Sequence, residues 1–71
     1  MKKEIARTIV REVLAASGRL DESVQLSRGA MDEATFGDYR RRVGEVMGFL
    51  YLEILRELFV NFPELEPKSM R

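Results

Sequence analysis

VMGFLYLEILRELFVNF, residues Val46 to Phe62, carries twelve apolar side chains and four polar ones, Glu53, Arg56, Glu57 and Asn61. A helix that is apolar around most of its circumference has to be buried on several sides. A single neighbouring helix in a chain of 71 residues does not offer that much cover. The stretch therefore predicts a helix with a partner molecule, most simply a second copy of the chain.

Upstream of it, Phe36, Tyr39, Val43, Val46, Met47, Leu50 and Ile54 recur at intervals of three and four. At about 100° per residue they fall within roughly 100° of arc. The helix is expected to run over about 33–62. Asp32 is its N-cap, with Thr35 the competing cap, and Pro63 ends it because proline disfavours a helical residue before it. In the first half, Ile5, Ile9, Val13, Ala16, Leu20 and Val24 are spaced 4, 4, 3, 4 and 4 apart. They predict one amphipathic helix over about 3–28 with Gly18 inside it; the alternative is a bend at Ser17-Gly18. Residues 29–32 form the turn, and 63–71 are expected to be an extended tail.

Two long helices with so short a connection lie antiparallel. The charges agree: Lys2, Lys3, Arg7 and Arg11 would lie beside Glu53, Glu57, Glu64 and Glu66, and Asp21 and Glu22 opposite Arg40, Arg41 and Arg42. Exposed pairs of this kind contribute roughly 0–1 kcal/mol each, so they select orientation more than they stabilise.

Three glycines inside the second helix, Gly37, Gly44 and Gly48, share a line within about 40° on the wheel, and Leu55 continues it. Each costs roughly 1 kcal/mol relative to alanine, so the reading is a groove where another helix backbone comes close. Beyond the line lie Leu52, Leu55 and Phe59, with Phe49 and Val60 on the flank; Val10 and Leu14 are spare on the first helix. The fold class expected is all-α: an antiparallel helical hairpin assembling as a homodimeric four-helix bundle, with arms able to swap. The expected interface is Gly44, Gly48, Leu52, Leu55, Phe59 and Phe62. Phe49, Arg56 and Val60, with the tail, are left for another protein.

Small size supports assembly, since one core in so short a chain is marginal without a staple. The sequence has no cysteine and no histidine, which removes disulfides, thiolate zinc sites and the usual acid–base and nucleophilic groups. No glycine-rich phosphate loop is present. Glu53 and Glu57 could meet symmetry mates around a metal, but the Glu-x-x-His motif of such bundles is missing; a solvated strip facing Lys3 and Arg7 is expected instead. No enzyme activity and no cofactor are predicted. Twelve basic residues balance twelve acidic ones. Arg40, Arg41 and Arg42 point about 100° apart and have Asp38 and Glu45 among them, so nucleic-acid binding is the weaker alternative. A small apolar ligand beside the glycine line is another. Tyr39 and Tyr51 are read as aromatics at the core edge.

Charges at Arg7, Arg11 and Glu12 interrupt what would be the apolar part of a signal peptide, and Val46–Phe62 is too short and too charged to span a membrane. A cytoplasmic protein is the expectation. The segments SGRLDESV (Ser17–Val24) and YRRRVGEVMG (Tyr39–Gly48), followed by Pro63, Leu65 and Pro67, resemble short bacterial helical proteins of unknown function. That resemblance covers most of the chain. It implies a compact helical unit and transfers no activity, ligand or functional residue.

Overall fold

A computed structural model describes residues 1–70, and the side chains of residues 1–69. Two long helical arms fold back on each other. The first is α1, Lys3–Ser27. The second contains α2 (Glu33–Phe49), a π-helical segment (Leu50–Leu55) and α3 (Arg56–Asn61) without interruption. No strand occurs among the described residues. Gly18 sits inside α1, so the bend at Ser17-Gly18 does not form.

The turn between the arms follows from local chemistry. Gly29 has φ +82°, the left-handed conformation that costs glycine nothing. Asp32 caps α2: its carboxylate accepts from the Thr35 backbone N–H at 2.8 Å and from the Thr35 hydroxyl at 3.0 Å. The N–H bond, the larger influence, holds the Asp32 carboxyl below its ordinary value, and the hydroxyl adds to it. Thr35 is thus the recipient of the cap and not the cap itself. The Arg28 guanidinium lies 5.5 Å from the centre of the Phe36 ring, bracing the turn.

Where the arms meet, the packed face of α1 is rotated from the expected stripe. Ala6, Val10 and Val24 are buried, whereas Ile5 is 54% exposed and Ala16 is also open. On a wheel of about 100° per residue the shift is roughly 50°. Val10 and Leu14, expected to be spare, belong to the core or pack against it.

The second arm departs further. Ala6 and Val10 of α1 pack with Leu55, Leu58 and Phe59, and Tyr51, Phe62 and Leu65 close around them. Leu55 and Phe59 are 3% and 4% exposed. Expected at an interface between copies, they are instead buried within the single chain, and Phe62 packs beside them. The cause is the π segment. The backbone N–H of Arg56 donates to the Tyr51 carbonyl five residues back, where an α-helix reaches back four. One extra residue is thereby absorbed, and everything downstream turns by about one residue's rotation. On a uniform wheel Leu55, Leu58, Phe59 and Phe62 centre roughly 110° away from Phe36, Tyr39, Val43, Met47 and Leu50. After the π segment the two groups form one continuous face toward α1.

The expected extended tail is also corrected. Pro63–Leu65 and Lys68–Met70 form 3₁₀ turns, and Leu65 packs against the core. Lys3 and Glu64 pair at 2.9 Å, pinning the tail to the start of α1. Glu64 is held below its ordinary value, first by its own backbone N–H and then by Lys3. Arg71, the last residue of the expected tail, lies outside the described residues.

Candidate association surface

A hairpin is one layer thick, and this one measures 46 × 19 × 16 Å. Each arm can turn only part of its apolar stripe toward the other. The remainder emerges together on one flank. Ile5, Ile9 and Ala16 on α1 face the same side as Val46, Leu50 and Ile54 on the second arm. Among these, Ile5, Val46 and Ile54 are 54%, 48% and 38% exposed. At the chain-end side of the flank an open groove of about 650 Å³ has an apolar floor of Met1, Ile9, Ile54, Leu58 and Phe62, and a polar rim of Glu53, Glu57 and Asn61. Glu53 and Glu57, expected to face Lys3 and Arg7, lie on the groove rim, while Lys3 pairs with Glu64 instead. Toward the turn the same seam is closed by the Ser23 and Tyr39 hydroxyls, 2.6 Å apart. Tyr51, at 6.4 Å between ring centres, tilts against Phe59. Both tyrosines serve as aromatics at the core edge.

The opposite flank is different in kind. A hollow of about 230 Å³ there is lined by Asp21, Gln25, Arg28 and Arg40 around Val24 and Val43. Asp21 and Arg40 share that wall, as the antiparallel charge pattern anticipates. Arg41 and Arg42 pair within their own arm: Arg41 with Asp38 at 2.6 Å and Glu45 at 3.0 Å, Arg42 with Asp38 at 3.0 Å. The Arg41 bond, aided by the charges of both arginines, holds Asp38 below its ordinary value; Asp38 in turn raises Arg41. The three arginines do not form a common basic face.

The glycine line faces away from α1, roughly 120° round from the core-facing side. A β-carbon built at Gly37, Gly44 or Gly48 meets nothing within 4 Å. Within one hairpin, therefore, no helix approaches the line. Leu52, expected at the interface, is 50% exposed beside it, and a shallow hollow of about 300 Å³ is bounded by Glu45, Gly48, Phe49 and Leu52. Phe49 and Val60 stay 62% and 74% exposed, and Arg56 is also open. Of these three hollows the most voluminous lies on the Ile54 flank, and the two smaller ones touch Gly44 and Gly48.

Open apolar flank residues were missed as a site because a uniform helical wheel counts them as core. The signal that finds them is thickness: stripes wider than one helix contact cannot both be covered in a two-helix unit. No group of three or more acidic, histidine or cysteine residues is placed to hold a metal ion among the described residues. No helix there is long and apolar enough to cross a membrane. Comparison with protein-family models, curated proteins and solved structures yields no match.

Proposed function

We propose that this chain is a non-enzymatic interaction module of the cytoplasm that works as a homodimer, two hairpins joining into a four-helix bundle. The observation that carries the reading is the open flank: Ile5, Val46 and Ile54 are large apolar residues left in water beside a groove floored by further apolar side chains. Contiguous exposed apolar surface of this kind marks association. A second copy supplies the matching surface without any other gene product, and a twofold dimer buries the same patch on both sides. The outward strip of Phe49, Leu52, Arg56 and Val60 then remains free for another protein, consistent with an adaptor or assembly subunit. Swapped arms would bury the same surfaces.

Light scattering across a dilution series tests the reading. The expected result is a dimer whose dissociation is promoted by Ile54→Glu, which places a carboxylate in the flank without entering the intrachain core. A folded wild-type chain that stays monomeric at high micromolar concentration overturns it.

A further inference from the structure

The open flank also carries a polarity, and we infer from it how the second copy sits: face to face and antiparallel, with Glu57 of each chain meeting Arg42 of the other. This rests on the homodimer reading above and goes beyond it by fixing surface, direction and pairing.

Surface area identifies the kind of occupant. The chain exposes 5476 Å², about 900 Å² more than the roughly 4,500 Å² expected of a folded monomer of its 8.2 kDa mass. A standard interface takes about 800 Å² from each partner. The excess therefore matches one protein-sized contact, and it arises in a molecule only 16 Å thick. Stacking a second layer on the flank restores ordinary proportions.

Charge decides direction. Within the hairpin the arms keep a fixed register: Lys3 pairs with Glu64, Ser23 with Tyr39, and Arg28 with Phe36. By that register Glu12 lies about level with Glu53, and Ala16, four residues on, about level with Phe49. Two face-to-face arrangements have twofold symmetry. In the parallel one, α1 of each copy lies over the second arm of the other, so Glu12 faces the partner's Glu53: like charges oppose twice. In the antiparallel one, α1 lies over α1 and second arm over second arm in reverse. Glu57, on the groove rim at one end, then comes level with the partner's Arg42 at the other end. On the helical wheel Arg42 is the arginine of its cluster nearest the flank, with Asp38 behind it. The symmetry axis passes by Ala16, a small exposed residue where two copies of α1 can approach closely.

Because the described residues include no cysteine, single thiols report geometry cleanly. Ala16→Cys and Asn61→Cys are both exposed positions, one beside the axis and one at the chain-end side. Under mild oxidation the Ala16→Cys dimer should cross-link, whereas the Asn61→Cys dimer should not, since its thiols lie roughly 30 Å apart at about 1.5 Å per residue. In parallel, Glu57→Arg and Arg42→Glu should each weaken self-association roughly tenfold. Mixing the two variants should restore wild-type affinity, because the mixed dimer regains both opposite-charge pairs. A dimer that cross-links through Asn61→Cys, fails to do so through Ala16→Cys, or is not rescued by mixing overturns the antiparallel assignment while leaving the homodimer reading standing. A wild-type chain that is monomeric overturns both.

Discussion

Deleting Leu52 tests the phase argument directly. Removing one residue from a helix normally turns everything after it by about 100°. Applied to a regular helix ending in Leu55, Leu58 and Phe59, that rotation would carry three large side chains out of the core. Each is worth about 1.5–3 kcal/mol when buried, so the loss would approach roughly 5–9 kcal/mol. Total stability for a chain of this size is about 4–11 kcal/mol at 0.05–0.15 kcal/mol per residue, and the protein would unfold. Here the second arm already contains one residue too many, accommodated by the π segment from Leu50 to Leu55. The deletion should convert that segment to regular α-helix and leave Leu55, Leu58 and Phe59 facing α1. Only the side chain of Leu52, half exposed, is given up. The expected outcome is a cooperatively folded protein with a melting temperature near that of the wild type, read by circular dichroism. As the control, deletion of Glu12 from the regular α1 should abolish folding, because Ala6 and Val10 then lose phase with Val24. An unfolded Leu52 deletion, or equal damage from both deletions, refutes the reasoning.

The glycine line yields a prediction of opposite sign to the close-packing expectation. With nothing within 4 Å of a β-carbon at Gly44 or Gly48, Gly44→Ala and Gly48→Ala should each stabilise by about 0.8–1 kcal/mol through helix propensity. For a domain this small that is roughly 4–8 °C per kcal/mol in thermal melts; a lowered melting temperature or a lost dimer would instead place another helix on the line. Asp32 supplies the pH dependence. Its folded carboxyl lies below the ordinary 3.8, so the stability it lends is present above that value and is lost as pH falls through the lower folded one. Wild type should therefore melt above Asp32→Ala at neutral pH, with the gap narrowing below about pH 4, whereas a constant gap down to pH 2 would remove the cap from the account.

Much of the architecture is visible in the chain because helix signals are local. Asp32 before Glu33, Gly29 after the first helix and Pro63 after the second are each interpretable within a few residues. Phase is another matter. The stripe Phe36, Tyr39, Val43, Met47, Leu50 and the stripe Leu55, Leu58, Phe59, Phe62 are both plain in the sequence. They look like two faces only if every turn has 3.6 residues. The π-helical turn over Leu50–Leu55, closed by the bond from the Arg56 N–H to the Tyr51 carbonyl, merges them. No residue between Leu50 and Leu55 announces this, since the segment contains neither proline nor glycine. The cue is the pattern itself: two strong stripes about one residue's rotation apart, of which only one can face a single partner helix. The tail escapes local reading for a similar reason. Its two prolines and four charges suggest an unpacked end, yet Leu65 and Glu64 find partners near the beginning of the chain.

The slipped phase also moves the surface on which the proposed homodimer rests. With Leu55 and Phe59 turned inward, the outward side of the second arm keeps only Phe49, Leu52 and Val60 as large apolar residues, interspersed with Glu45 and Arg56. The seam flank is the surface to which both arms contribute, with the groove of Ile9, Ile54, Leu58 and Phe62 between them. A second helix pair can seat in that groove through ridges entering from each arm, which a single helix face does not permit. The π segment therefore acts on both sides of the hairpin at once. It completes the intrachain core at Ala6 and Val10, and it leaves Val46 and Ile54, rather than Leu55 and Phe59, exposed on the flank.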